Sequence, residues 1–181
     1  MGMLKSILVA LAVLIAWSAA AEAVDVEKRR EAPGKPDEIW KLVGGFCDIK
    51  QWHPAVADCV ETKEGDITFR TLTLKDGGKI KEKLTGTDAT SYSYEIVESP
   101  LPVKNYKATL RIGKDDEEDR IEIVWQASFD AEGASDEDAK KKVTDIFNAG
   151  LTGIKEKANT AHYGSDDSKA PEGDKDDNDN K

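Results

Sequence analysis

The chain has 181 residues, of which 34% are charged, and a formal net charge of −10 at pH 7. An acid surplus of that size disfavours nucleic acid and anionic membrane surfaces as partners, since both carry the same sign. Between its two compositionally distinct ends lies one stretch, residues 24–160, the size of a single ordinary domain, with no internal repeat and no linker.

At the N-terminus Lys5 precedes an unbroken apolar run over residues 7–17, and Ala21-Glu22-Ala23 has the small-x-small pattern of a cleavage site. The run is shorter than the roughly 20 residues a bilayer-spanning helix needs. Residues 1–23 are therefore read as a signal peptide, with an uncleaved anchor as the alternative. No cysteine follows the run closely, so no lipoprotein signal is visible. The mature chain is expected to start at Val24 and to be exported, to a bacterial periplasm or beyond.

Residues 24–30 alternate weakly and read as an edge strand. A helix is expected over residues 36–43, where Pro36 suits the first turn, Asp37 and Glu38 complement the positive helix N-terminus, and Gly44-Gly45 ends it. A second helical turn is expected over residues 49–52. Pro54 then forces a corner, because proline lacks an N–H and drives the residue before it, His53, out of the helical region. Strands follow over residues 60–62, 67–74, 79–87, 92–98, 106–112 and 120–129. Asp76-Gly77-Gly78 marks a hairpin, and residues 114–119 form a solvated acidic loop.

The final helix is opened by Ser135, with Asp138 three residues on in a capping-box arrangement. Ala139, Val143, Ile146, Phe147, Gly150, Leu151, Ile154 and Ala158 recur at helical spacing on one face, and Lys140, Lys141 and Asp145 lie on the other. Gly150 on the apolar face either leaves room for a ligand or permits close helix packing. Residues 161–181 are read as an acidic disordered tail; from Gly164 onward the chain carries seven acids and three lysines and nothing able to anchor a core. Such a tail either solubilises the chain or serves as an electrostatic arm for a basic partner.

Cys47 and Cys59 are the two cysteines and flank the Trp52-His53-Pro54 corner. In an oxidising compartment two cysteines in one small domain commonly pair. A disulfide Cys47–Cys59 is the expectation and two separate buried thiols the alternative. Neither sits in the Cys-x-x-Cys spacing of a metal site.

Strand parity suggests which side chains face inward. Ile121, Ile123, Trp125, Ala127 and Phe129 share a face, as do Tyr106, Ala108, Leu110 and Ile112. Arg70 falls with Leu72 and Leu74, and Glu82 with Ile80 and Leu84. If the hairpin pairs Lys75 with Lys79, Leu72 opposes Glu82 and Arg70 lies diagonal to it. A charge on an apolar face has to be paired, so Arg70 and Glu82 are a candidate buried pair, or else rim residues in water. His53 is a candidate general acid or base, or a residue shaping the cavity mouth. Trp52, Tyr94, Tyr106, Trp125 and Phe147 are either a ligand-contacting lining or plain core. No nucleophile motif, phosphate loop or haem-attachment motif appears, and no cofactor is implied.

Several of these pieces together resemble the Bet v 1-like, or START-like, superfamily, also known as SRPBCC or polyketide cyclase/dehydrase proteins. They are Pro36-Asp37-Glu38-Ile39-Trp40, Ile49-Lys50-Gln51-Trp52-His53-Pro54, residues 70–78, Pro100-Leu101-Pro102-Val103 and the last helix. The resemblance spans about residues 24–157. It implies an α+β helix-grip fold, in which a curved antiparallel sheet wraps round a long C-terminal helix with an apolar cavity between them. It does not by itself imply a reaction, since members include binders, carriers and cyclases. As an exported single domain the chain looks most like the MxaD-type accessory proteins of periplasmic methanol oxidation. That likeness implies a non-enzymatic role and a periplasmic redox partner such as methanol dehydrogenase or cytochrome c. A polyketide cyclase-type enzyme using His53, Arg70 and Glu82, and a carrier of an apolar metabolite or lipid, are the alternatives.

Overall fold

The computed structural model describes residues 23–164. The expected signal peptide and most of the expected tail lie outside them. The chain runs β1 (Val24–Pro33), α1 (Pro36–Val43), α2 (Ile49–Trp52), β2 (Val56–Glu64), β3 (Ile67–Leu74), β4 (Lys79–Asp88), β5 (Ser91–Glu98), β6 (Val103–Lys114), β7 (Arg120–Ala131) and α3 (Asp136–Tyr163). The strands form one seven-stranded sheet in the order β1-β7-β6-β5-β4-β3-β2, with every neighbouring pair antiparallel. This is the expected α+β helix-grip fold, with α3 lying in the concave face of the sheet.

The sheet curves because its ladders are interrupted. Register shifts occur in the β4–β5 pair, at Lys81/Glu82 and Leu84/Gly86, and in the β6–β7 pair between Lys104 and Lys107. In β6, Asn105 and Tyr106 lie opposite the single residue Phe129, so the strand carries one extra residue, and Asn105 is at φ 53°. Bulges of this kind bend a strand and increase its twist. The inward parity read from sequence holds: Tyr106, Ala108, Leu110 and Ile112 on β6, and Ile121, Ile123, Trp125, Ala127 and Phe129 on β7, are all buried.

One register differs from expectation. β3 and β4 are joined by a turn that closes one residue earlier, with the Gly77 N–H donating to the Leu74 carbonyl at 2.9 Å and the Leu74 N–H to the Gly78 carbonyl at 2.8 Å. Gly77, at φ +90°, supplies the left-handed residue that this turn requires. Thr73 therefore pairs with Lys79, Leu72 with Ile80, and Arg70 directly with Glu82. Arg70 is opposite Glu82 rather than diagonal to it.

In α3 the Ser135 hydroxyl oxygen accepts from the Asp138 N–H at 3.1 Å, as the capping pattern predicts. The apolar stripe is buried apart from Ile146, which is partly exposed. The helix continues to Tyr163, so residues 161–163 belong to it and not to the tail. The first helix-breaking residue after Ala158 is Gly164, whose N–H closes the last turn on the Thr160 carbonyl at 2.9 Å.

The Trp52-His53 corner is clamped from several sides. His53 is extended, at φ −90° and ψ 116°, as the residue before a proline should be. The Trp52 indole N–H donates to the Val43 carbonyl at 3.2 Å, satisfying an end carbonyl of α1. α3 reaches this corner through its glycines. A Cβ at Gly153 would lie 1.7 Å from the Trp52 carbonyl oxygen, and one at Gly150 would lie 2.5 Å from the Trp125 ring. Both glycines thus serve close packing; neither leaves room for a ligand. Cys47 and Cys59 form the expected disulfide, with a Cα–Cα distance of 5.5 Å and a sequence separation of 12. It ties the α1–α2 connection to β2, and closing a loop of that length contributes about 3 kcal/mol in the chain-entropy picture.

Candidate functional site: an apolar cavity floored by a buried ion pair

The elements leave a cavity of about 420 Å³ between β3–β7, the α2–β2 corner and the first half of α3. Its wall is mainly aliphatic and aromatic: Ile49, Leu72, Ile80 and Ile96, with Trp125 from the sheet and Val143, Ile146 and Phe147 from α3. Pro100 and Leu101 of the β5–β6 connection, with Lys75, Asp76 and Lys142, also border it. Larger hollows of about 540 and 720 Å³ lie on the outer sheet face and beside the acidic loop, and are open grooves lined chiefly by polar side chains. The inner cavity has the apolar wall and the few convergent polar groups typical of a small-molecule site.

Six of the eight residues singled out from sequence line this cavity: His53, Glu82, Tyr94, Tyr106, Trp125 and Phe147. Tyr94, Tyr106, Trp125 and Phe147 are almost wholly buried, so they are core and lining at once. Trp125 stacks on Phe147 with ring centroids 4.3 Å apart, joining sheet to helix. Trp52 and Arg70 are not on the wall. Trp52 packs under α3, edge-on to Trp125 at 5.7 Å. Arg70 lies behind Glu82, without solvent exposure. Strand parity predicts the face of a side chain but not its depth, and here Phe46 covers the guanidinium.

The Arg70 guanidinium carbon sits 4.1 Å from the centre of the Phe46 ring and 5.0 Å from that of Tyr94. Its Nε donates to Glu82 Oε2, and Nη1 donates to the Phe46 carbonyl and, at 3.4 Å, to the Tyr92 hydroxyl. Burial opposes the Arg70 charge, but Glu82, with Tyr92 and Tyr94, holds its pKa above the ordinary value. Burial likewise pushes the Glu82 carboxyl upward, while the Arg70 charge pulls it back. A guanidinium with no water contact needs a counter-charge, so the pair is ionic. Sequence reasoning missed Phe46 and Tyr92. The signal was the aromatic density around Arg70, visible only once the strands are in register.

His53 is built into the scaffold. Its Nδ1 accepts from the Ala55 N–H at 3.2 Å, so the other nitrogen carries the proton and donates to the Ile146 carbonyl at 3.1 Å. Burial lowers its pKa; the Ile146 bond works against that and the Arg70 charge adds to it. With both nitrogens engaged, His53 lacks the free lone pair a general base needs. The Tyr94 hydroxyl oxygen accepts from the Trp125 indole N–H at 3.1 Å, and burial raises the Tyr94 and Tyr106 pKa values. Among the described residues no group of three or more His, Cys, Asp or Glu side chains could hold a metal ion, and no helix is long and apolar enough to cross a membrane.

Residues 23–159 match the family described as polyketide cyclase / dehydrase and lipid transport. The chain belongs to that family. Among solved structures it is similar to the protein XoxI of Bacillus cereus, at 27% identity and TM-score 0.72, over 77% of this chain and 98% of that one. It is similar to an uncharacterized protein of Bacillus thuringiensis at 28% identity and TM-score 0.69, over 74% of this chain and 97% of that one. The Zhui aromatase/cyclase of a Streptomyces species shares the fold at 14% identity and TM-score 0.60, over 77% of this chain and 96% of that one. No match was found among curated proteins.

Proposed function

We propose that this family member is a non-enzymatic binding protein that holds a small, mostly apolar molecule between the sheet and α3. We further propose that it works in the periplasm as an accessory to a redox system, in the manner of MxaD-type proteins between methanol dehydrogenase and cytochrome c. The observation that carries the binding reading is the cavity, apolar in its walls, with His53 and the Tyr94 oxygen already engaged by protein groups. A site prepared for acid–base chemistry would present such groups unpaired to the substrate. The Cys47–Cys59 disulfide is consistent with an oxidising compartment. The likeness to XoxI and the charge of −10, suited to a basic partner, support the accessory role.

Fluorescence of the neutral probe N-phenyl-1-naphthylamine tests the binding reading. The mature protein should enhance and blue-shift the emission, and Ile146→Phe, which fills the cavity from its partly exposed helix side, should abolish the effect. Unchanged emission with the native protein contradicts the reading. The accessory role predicts salt-sensitive cross-linking to methanol dehydrogenase or its cytochrome c; absence of any cross-link at low salt contradicts it.

A cyclase-type reaction is the second reading, favoured by one observation: Glu82 is a carboxyl with a raised pKa on an apolar wall. With His53 committed and Arg70 behind the wall, that reading rests on Glu82 acting as a base toward an enol or a carbon acid. Turnover of an aromatic polyketide mimic that is lost in Glu82→Gln would favour it over the first.

A further inference from the structure

We infer that the cavity selects a neutral molecule bearing a hydroxyl group, an apolar alcohol or phenol whose O–H donates to Glu82; this rests on the binding reading above. Glu82 lines the cavity, and its side chain is only 6% exposed. Its Oε2 is taken by Arg70 Nε. Among the described residues the only side-chain hydrogen bond to Glu82 is that from Arg70 to Oε2, and Oε1 is not among the sealed, unpartnered buried atoms. That oxygen therefore faces the cavity as an acceptor. A carboxylate in an apolar wall with an unused acceptor site calls for a donor from the ligand.

The charge of the ligand follows from the same pair. Arg70 and Glu82 neutralise one another, and among the described residues no other ionisable pair lies inside the wall; Lys75, Asp76 and Lys142 are exposed. A ligand carboxylate placed against Glu82 would bring two like charges together in a dry site. A ligand ammonium would enter without net counter-charge, since the Glu82 charge is already shared with Arg70. A hydroxyl satisfies Oε1 and adds no charge. The apolar remainder of the ligand lies against Leu72, Ile80, Val143 and Phe147, and the Tyr106 ring closes one side.

Calorimetric titration of the mature chain with three probes of similar length tests this. The probes are 1-nonanol, its isomer 1-methoxyoctane, which can accept but not donate, and octylammonium. The alcohol should bind at least about tenfold more tightly than the ether, the range expected for a hydrogen bond to a charged acceptor, and octylammonium should bind no more tightly than the alcohol. The Arg70→Met/Glu82→Met double variant removes the pair without stranding a charge. It should still bind the ether but lose the preference for the alcohol. Equal binding of alcohol and ether by the native chain overturns the inference and leaves the cavity reading intact. Tighter binding of octylammonium overturns the neutrality argument, and a preference retained by the double variant overturns the role of Glu82. Failure of every probe to bind overturns the cavity reading itself.

Discussion

Arg70 and Glu82 are the residues on which the interior chemistry turns. Each is almost fully enclosed, and each makes the other tolerable there. Replacing Arg70 alone by Met should destabilise the fold by about 3–5 kcal/mol, because Glu82 is left buried without a counter-charge. Adding a second substitution, Glu82→Gln, should restore part of the loss. Urea unfolding of the two single variants and the double variant gives the coupling directly, and a coupling near zero would return both groups to independent surroundings. His53 makes a prediction of opposite character. Its folded pKa lies below the ordinary 6.5, so the unfolded chain takes up the proton first as pH falls. The stability contributed by neutral His53 is fully present above about 6.5 and is lost as pH falls through that value toward the folded pKa. Protonation at Nδ1 would also break the bond from Ala55. The urea midpoint should therefore drop between pH 7.5 and 5.5 more steeply in the native protein than in His53→Gln; parallel curves would contradict this.

At the scale of elements, the contact of α3 with the α2–β2 corner sets the depth of the cavity. In an ordinary helix interior Gly→Ala stabilises by about 1 kcal/mol. Here the sign reverses. Gly153→Ala would place a methyl against the backbone carbonyl of Trp52, which cannot swing aside, and should destabilise by about 3 kcal/mol or more. Gly150→Ala meets the side chains of Trp125, His53 and Trp52 and should cost less, about 1–3 kcal/mol. Thermal melts of the two variants check both the sign and the order, and an unchanged or raised midpoint for Gly153→Ala would mean that α3 does not pack this closely. The elements themselves were legible in the sequence because each carried a local signal: Pro36 and Gly44 for α1, period-2 burial on β6 and β7, and Ser135 with a 3.6-residue stripe for α3. The β3–β4 register was not, since Asp76-Gly77-Gly78 is compatible with more than one turn and only the hydrogen bonds of Leu74 choose between them. The depth of Arg70 and Trp52 was not legible either. Both are covered by segments distant in sequence, Phe46 and α3, and parity within a strand or spacing within a turn says nothing about such cover.

The described residues form a scaffold that holds an apolar space open, with most of the polar groups around it engaged by protein partners and Glu82 Oε1 left to the cavity. The Cys47–Cys59 disulfide ties the α1–α2 connection to β2, the Trp125–Phe147 stack joins the sheet to α3, and the Arg70–Glu82 pair lies at the cavity wall. The central claim is that this space, and not the broader hollows on the outer face, receives the ligand. The most direct measurement is a ¹³C-methyl NMR titration of the mature protein with 1-nonanol. Saturable shifts should concentrate at Leu72, Ile80, Ile96, Val143 and Ile146, while Val60 and Val97, which are exposed, stay in place. Shifts confined to Thr85 and Thr109, whose side chains border the outer groove, or no saturable shift at all, would contradict the account.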